Sequence, residues 1–330
     1  MEYILETFEL TKRFARTKGF IDILRRSRNK DVSAIEEINL KVKKNEFFGI
    51  VGPNGAGKTT LIKILCTLIL PTSGSACVNG YDIVKEDDKA RECLGFVSGD
   101  ERSFYWRLTG RQNLEFFASL ANLRDPNKKV CEVLELVDLK DKADDKFQTY
   151  SAGMKQRMTI ARGMLNDPEV LFMDEPTRSI DPFSAEKLRS FIKEELVKER
   201  GKTIFMSTHL LDEAEKLCDR IAIIDKGRIR ACGTLNDLEK QIPPNEICNL
   251  EIKGISKDIL TRLGDMEGIS EISTHFSSDI AYVEIQLSKR EALLPQIIER
   301  IVKNGGKIIA CNLKKPDLNE IFMNLVDKRG

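Results

Sequence analysis

The residues from Gly52 to Thr60 carry the clearest chemical signal in the chain. They fit the phosphate-binding pattern G-x-x-x-x-G-K-[ST]. Glycines let the backbone curl so that its N–H groups point at phosphate oxygens, and the helix that follows adds a positive N-terminus beneath the anion. Lys58 can then reach the β- and γ-phosphates of a nucleoside triphosphate, while the Thr59 hydroxyl can bind Mg²⁺. We therefore predict a nucleotide-binding loop formed by Gly52, Pro53, Asn54, Gly55, Ala56, Gly57, Lys58, Thr59 and Thr60.

Two adjacent acids, Asp174 and Glu175, end an apolar run that begins at Val170. The run is typical of a strand buried on both faces in a parallel sheet, and ligands bind at the carboxyl ends of such strands. Two neighbouring carboxylates repel each other unless cations occupy the site. In a protein with a phosphate loop, the first acid helps to hold Mg²⁺ and the second can orient or deprotonate the attacking water. These are the roles we predict for Asp174 and Glu175.

A second helix start that could bind an anion lies at Ser151. The segment Tyr150-Ser151-Ala152-Gly153 places a hydroxyl and a glycine where a helix begins. One chain needs only one phosphate loop for each nucleotide. The second helix start therefore calls for a different partner.

The elements around these residues indicate an α/β core. The apolar run Phe47–Val51 leads directly into the phosphate loop, and Leu61–Leu65 continues from it as a helix. Further core strands are predicted at 94–97, 170–175 and 203–207, and a helix at 182–200. The pattern between 99 and 166 is helical. We predict a domain over residues 1–237 with an inserted helical subdomain at about 100–168.

The remainder of the chain, residues 245–330, is predicted to be a small α+β accessory domain. Its apolar segments follow the order βαββαβ, which suggests a ferredoxin-like sandwich, and a last helix runs from Leu318 to Val326. Residues 238–244 are typical of a linker between the two domains.

Composition excludes several classes of protein. Lysine plus arginine nearly balance aspartate plus glutamate at a formal net charge of +1, so nothing global indicates a nucleic-acid partner. Eight cysteines without a C-x-x-C spacing indicate reduced thiols, and two histidines are too few for a histidine-rich metal site. The apolar runs are shorter than the roughly 20 residues of a membrane span, and the acidic N-terminus does not predict a signal peptide.

A basic segment follows the first strand. Between Lys12 and Lys30 the chain carries eight basic residues and one acid, Asp22, around a short apolar cluster at 20–24. One interpretation is a short amphipathic helix on a membrane surface or against a partner. The other is a solvated surface insertion, at about 15–31.

The order of these motifs resembles that of the ATP-binding subunits of ABC transporters, from about Leu5 to Thr234. The signature loop of that family, LSGGQ, corresponds here to Tyr-Ser-Ala-Gly-Met, which keeps Ser151 and Gly153. The resemblance implies a P-loop NTPase fold that binds ATP and Mg²⁺. It also implies a head-to-tail dimer, in which this loop of one subunit closes on the γ-phosphate held by the other.

The same resemblance implies roles for four further positions. Glu175 is the catalytic base and His209 is the switch histidine that contacts the γ-phosphate. Asp181 is the D-loop acid, and Phe14 resembles the aromatic residue that stacks on adenine. From the residues alone, a histidine at a strand end or a phenylalanine would be assigned to structure rather than to a site.

Three departures from the family pattern concern coupling and turnover. The family has a metal-binding glutamine after the strand at 94–97, where this chain has Ser98-Gly99-Asp100-Glu101-Arg102. Counting from the strand selects Gly99, whereas counting back from Leu108 selects Asp100, whose carboxylate could bind the metal and which we favour. Ala152 and Met154 depart from LSGGQ. Arg178 and Ser179 stand where glycine is more usual.

The resemblance predicts an ATPase subunit that powers a separate transmembrane permease, as a homodimer or with a paralogous ATPase subunit. It is expected in the cytoplasm, peripheral at the inner face of the cell membrane. The segment Lys315–Phe322 resembles the terminal segment of exporter ATPases. Two alternatives remain: a soluble ABC ATPase that acts on ribosomes or DNA, and a nucleotide-dependent regulator that does not hydrolyse ATP.

Overall fold

The computed structural model describes residues 2–15, 32–99, 103–241, 246–264, 266–287, 290–314 and 317–327. Most of the predicted basic insertion and the candidate metal residue Asp100 lie outside these ranges. The chain forms two compact units, Met1–Thr234 and Leu235–Gly330. The predicted α/β core with an added small α+β domain is confirmed.

The first unit contains two sheets. Its strands are β1 Tyr3–Phe14, β2 Val32–Lys43, β3 Phe47–Val51, β4 Ser73–Val78, β5 Tyr81–Asp82, β6 Leu94–Ser98, β7 Val170–Asp174, β8 Thr203–Thr208, β9 Arg220–Asp225 and β10 Arg228–Gly233. The larger sheet has the order β10-β9-β3-β8-β7-β6, and the smaller antiparallel sheet has the order β2-β1-β4-β5.

The helices of the first unit flank the larger sheet or build the inserted subdomain. They are α1 Lys58–Leu65, α2 Asp87–Glu92, α3 Gly110–Leu120, α4 Pro126–Leu136, α5 Ala152–Gly163, α6 Pro182–Phe191 and α7 Leu211–Leu217. Side-chain oxygens cap several of them because these oxygens accept the N–H groups left free at a helix start. Thr109 and Gln112, for example, form a reciprocal capping box on α3.

The larger sheet is parallel from β9 to β6, so the carboxyl ends of its central strands meet at one edge. Val51 pairs with Thr208, Ser207 with Asp174, and Asp174 with Ser98. The strand interiors are buried, and the rings of Phe48 and Phe205 stack with centroids 5.4 Å apart. Burial of these apolar runs fixes the register, and the register places the polar ends side by side.

The local structure differs from the sequence predictions in three places. The predicted helix Pro182–Arg200 is an α-helix only to Phe191, and Ile192–Glu199 is π-helical. Both Ile192 and Leu196 are buried in that segment, so residues four apart share its apolar face, as they would in an α-helix. The first strand, which the alternating residues Tyr3–Leu10 predict, extends four residues further to Phe14, and the short helix α2 was not predicted.

The second unit has the predicted βαββαβ order. Its elements are α8 Leu235–Glu239, β11 Glu246–Lys253, α9 Lys257–Gly264, β12 Ile269–Ser277, β13 Ile280–Leu287, α10 Arg290–Lys303, β14 Lys307–Lys314 and α11 Leu318–Asp327. The antiparallel sheet order is β12-β13-β11-β14, and alternating side chains such as Leu250, Val283 and Ile285 pack on its buried face. Among the described helices, none is long and apolar enough to cross a membrane.

Candidate functional site

A polar cavity of about 560 Å³ lies at the carboxyl ends of β3, β6 and β7. It is open to solvent and combines parts of the phosphate loop with the acid pair and the segment after it. Its lining residues are Ala34, Asn54, Gly55, Gly57, Lys58, Thr59, Thr60, Ser98, Gly99, Asp174, Glu175, Arg178 and Ser179.

The phosphate loop has the curled backbone that its sequence predicts. Gly57, directly before α1, has a φ of +108°, and a Cβ there would lie 2.4 Å from the carbonyl oxygen of Ala34. A side chain is excluded at this position by both conformation and space. Gly52 and Pro53 do not line the cavity, but their carbonyl oxygens accept hydrogen bonds from Lys58, and Ala56 is buried.

Lys58 points its ammonium group back into the loop. Its Nζ donates to the carbonyl oxygens of Gly52 at 2.7 Å and Pro53 at 3.1 Å, and the residue is only 6% exposed. Burial lowers the pKa of the Lys58 ammonium, while the carboxylates of Glu175 and Asp174 oppose that shift. A phosphate group in the cavity would offer this ammonium a charged partner in place of two carbonyls.

Thr59 and Asp174 form a pair of oxygen donors suited to Mg²⁺. The Thr59 hydroxyl lies 2.9 Å from Oδ2 and 3.1 Å from Oδ1 of Asp174, and Ser207 donates a hydrogen bond to Oδ1. Within the described ranges, no group of three or more His, Cys, Asp or Glu side chains could hold a metal ion. Magnesium commonly binds one or two protein oxygens and completes its shell with water and substrate phosphates, so these residues fit it.

The Glu175 carboxylate has a partner on each oxygen. His209 Nδ1 lies 3.0 Å from Oε1, and Arg178 Nη1 lies 3.4 Å from Oε2. Glu175 also has a φ of +49°, a conformation that costs free energy for a residue other than glycine. The predicted base and the predicted switch histidine therefore meet, whereas the contribution of Arg178 was not predicted.

The other predicted site residues do not line this cavity. Ser151 caps α5 by accepting a hydrogen bond from the Met154 N–H at 3.2 Å. Asp181 caps α6 through the Ser184 N–H at 3.0 Å, and that hydrogen bond lowers the pKa of its carboxyl group. A Cβ on Gly153 would lie 3.3 Å from Ser184 Cβ, so the starts of α5 and α6 are neighbours. The phosphate loop and the start of α5, which are the two predicted anion-binding features, therefore lie at different places in one chain.

Phe14 ends β1 with its ring 41% exposed and Lys12 Nζ 5.1 Å from the ring centre. An exposed ring on the strand next to the one that carries Ala34 is available for stacking.

The structure describes only one of the two residues, Gly99 and Asp100, that could correspond to the metal-binding glutamine of the family. Gly99 donates its N–H to the Asp174 carbonyl at 3.1 Å and lines the cavity, but it has no side chain to bind a metal, and Asp100 lies outside the described residues.

Ser179 carries strain that a glycine would remove. Its φ is +64°, in the left-handed region. We expect Ser179→Gly to raise the stability of the first unit by about 1 kcal/mol, because glycine adopts this conformation without a steric cost. Thermal unfolding measures the change. Ser190→Gly, on the exposed face of α6, is the matched control and should destabilise by about 0.5–1 kcal/mol; equal effects of the two would contradict the assignment.

Two family models match the chain. The model described as "ABC transporter" matches residues 35–178, and the model described as "ATP-binding protein DrrA1-3-like, C-terminal domain" matches residues 233–326. The first covers the phosphate loop, the helical subdomain and the acid pair. The second covers the βαββαβ unit.

Two curated relatives match over most of their length. The linearmycin resistance ATP-binding protein LnrL of Bacillus subtilis is 33% identical over 296 residues, which cover 89% of this chain and 94% of the relative. The daunorubicin resistance ATP-binding protein DrrA3 of Streptomyces coeruleorubidus is 31% identical over 297 residues, which cover 89% and 92%. Among solved structures, the dimeric post-hydrolysis state of the ATP-binding cassette MJ0796, bound to ADP and Pi, superposes with a TM-score of 0.59. It is 26% identical and covers 70% of this chain and 98% of that one.

Proposed function

This chain belongs to the ABC transporter ATP-binding family and is an ATPase by that membership, and we propose that it powers a separate membrane permease as the ATP-hydrolysing subunit of an exporter. One observation carries the hydrolytic part of the proposal. A single cavity brings together a phosphate loop, a hydroxyl–carboxylate pair suited to Mg²⁺, and a carboxylate held by a histidine. These are the parts that phosphoryl transfer to water requires.

The residues of the site have separate roles in hydrolysis. The loop N–H groups and Lys58 bind and orient the triphosphate, and positioning supplies much of the rate in such reactions. Thr59 and Asp174 would hold Mg²⁺, which when bound neutralises charge on the phosphates. Glu175 accepts a proton from the attacking water, and His209 orients the Glu175 carboxylate. By the family resemblance, His209 would also contact the γ-phosphate.

The separation of the two anion-binding features supports a dimer. Ser151 and Gly153 stand at the start of α5, outside the cavity that holds the phosphate loop. In a head-to-tail pair, the start of α5 in one subunit would face the γ-phosphate in the other, and its helix N-terminus would stabilise the charge there. Asp181 and Phe14 would complete the nucleotide site, Phe14 by stacking on adenine. The partner subunit is a second copy of this chain or a paralogue.

The direction of transport is inferred from the relatives. Two curated proteins that match nearly the whole chain are named for resistance to linearmycin and to daunorubicin. The accessory unit matches a domain model named after DrrA-type ATP-binding proteins. A subunit of this kind would work at the inner face of the cell membrane, bound to its permease.

The test has a chemical arm and a cellular arm. The purified chain should release phosphate from ATP in the presence of Mg²⁺, and removal of the metal with EDTA should reduce the rate to background, because the charge of the phosphates is then no longer neutralised by the ion that Thr59 and Asp174 would hold. In detergent extracts of its own cells, the tagged chain should retain one polytopic membrane protein. Phosphate release without a retained membrane protein would support the ATPase and contradict the transport role.

A further inference from the structure

Glu213 on α7 is a buried carboxylate that the chemistry above does not use. Only 3% of the residue is exposed, and both of its oxygens are engaged. The Thr177 hydroxyl donates to Oε1 at 2.7 Å, and the Thr208 hydroxyl donates to Oε2 at 2.8 Å. Arg189 Nη1 on α6 lies 3.7 Å from Oε1. Glu213 thus joins the loop after β7, the end of β8 and helix α6.

The partners of Glu213 stand next to the two residues of the proposed hydrolytic pair. Thr177 is two residues after Glu175, and Thr208 directly precedes His209. The side chains of Glu175 and His209 meet at 3.0 Å on the cavity side. Glu213 therefore connects, from behind, the two chain segments that carry these groups.

The contacts of Glu213 are of the strong and specific kind. Hydrogen bonds to an ionised acceptor are roughly twice as strong as neutral ones, and both hydroxyls are buried, so that water cannot replace the carboxylate. The Thr208 oxygen also accepts the Leu210 N–H at 3.0 Å, which fixes the direction of its own proton. A buried charge of this type is a poor source of stability but can specify one geometry.

We propose that Glu213 is a positioning residue for ATP hydrolysis, which sets the distance between Glu175 and His209 by holding Thr177 and Thr208. The inference rests on the proposed hydrolytic function. It predicts a loss in kcat with little change in KM, because the phosphate loop that binds the nucleotide is held by other contacts. Misplacement of a reacting group by about 1 Å can cost as much as 100-fold in rate.

Two substitutions of Glu213 and one matched control test the proposal. Glu213→Ala should lower kcat by roughly 10- to 100-fold at constant KM for MgATP. Glu213→Gln should lower kcat less than Glu213→Ala, because its oxygen can still accept from Thr177 and its side chain fills the same space. Glu215→Gln, on the same helix, should leave kcat and KM unchanged. A fluorescent ATP analogue reports nucleotide binding in every variant.

A double-mutant cycle separates positioning from general destabilisation. If Glu213 acts by placing Glu175 against His209, Glu213→Ala should have no further effect on kcat in a His209→Ala background. A residue that merely stabilises the fold would reduce activity in both backgrounds alike. Thr177→Val, which removes one hydroxyl and keeps the side-chain shape, provides the same cycle should Glu213→Ala fail to fold.

The outcomes distinguish this inference from the proposed function. A wild-type chain that binds MgATP but releases no phosphate contradicts the hydrolytic function itself. A wild-type chain that hydrolyses ATP, together with Glu213→Ala at wild-type kcat, overturns the role of Glu213 and leaves the function intact. Additive effects of Glu213→Ala and His209→Ala would also overturn it.

Discussion

Replacing Glu175 with glutamine should lower phosphate release by about 100-fold or more while MgATP still binds. Glutamine has nearly the same shape as glutamate but cannot accept the proton of the attacking water, and general-base catalysis contributes roughly 10²- to 10⁴-fold. The phosphate loop is unchanged in this variant. A nucleotide that is bound but not hydrolysed should hold two subunits together, so gel filtration with MgATP should show a dimer.

The chain offers a matched control for this substitution at the other end of the same strand. Glu169 directly precedes β7 and is exposed, whereas Glu175 directly follows it at the cavity. Glu169→Gln also replaces a carboxylate with an amide and changes the net charge by the same amount. It should leave the hydrolysis rate and the elution volume unchanged. A Glu175→Gln variant that binds MgATP yet elutes as a monomer would contradict the dimer proposed above.

The surroundings of Glu175 make the substitution informative about its neighbours as well. The carboxylate holds His209 on one oxygen and Arg178 on the other, and Arg178 is largely exposed with a side chain able to turn. A glutamine keeps one oxygen and places an amide on the other side. The substitution therefore changes the contact with His209 or with Arg178, and the position of His209 then depends more on its other contacts within the protein. Glu213 supplies that support through Thr177 and Thr208.

Sequence patterns predicted the parts of the site that depend on backbone shape. The loop Gly52–Thr60 could be recognised because its glycines occupy positions where a side chain would clash or would strain the backbone, as at Gly57. The strand that ends at Asp174 could be recognised because a strand buried on both faces needs a continuous apolar run. In both cases the local sequence alone carries the constraint.

Contacts that depend on side chains from distant strands could not be predicted in the same way. Ser207 binds Asp174 only because β7 and β8 are neighbours in a particular register. Glu213 has a similar origin: an acid in the first turn of a helix is usually solvated, and nothing local indicates that it faces two buried threonines. Glu213 follows His209 by four residues in the sequence. This spacing indicates a role near the site only once the loop that carries Thr177 is known to face the end of β8.

Replacing Lys58 with alanine should be the most damaging change at the phosphate loop. Lys58 is buried, its Nζ donates to two carbonyl oxygens of the loop, and it is the only lysine among the described residues that line the cavity. A charge-assisted contact to phosphate contributes about 1.5–3 kcal/mol, so MgATP affinity should fall by roughly 10- to 100-fold. Phosphate release should fall further, because the same charge stabilises the transition state.

Lys63, in the last turn of α1, is the control for the loss of charge. Lys63→Ala removes the same group from the same helix at a position outside the cavity, and it should preserve both affinity and rate. Titration with a fluorescent ATP analogue measures the affinity. Equal losses in Lys58→Ala and Lys63→Ala would mean that net charge, rather than contact with the phosphates, controls binding.

Combining the two substitutions tests whether the dimer depends on bound nucleotide. If the Glu175→Gln dimer is held by MgATP between the loop of one subunit and Ser151 of the other, then Lys58→Ala in the Glu175→Gln background should restore the monomer at MgATP concentrations that saturate the single variant. Raising MgATP by roughly 100-fold should recover the dimer, since only the affinity has changed. A dimer that persists in the double variant without nucleotide would instead arise from a protein surface, and the two anion-binding features would then need another explanation.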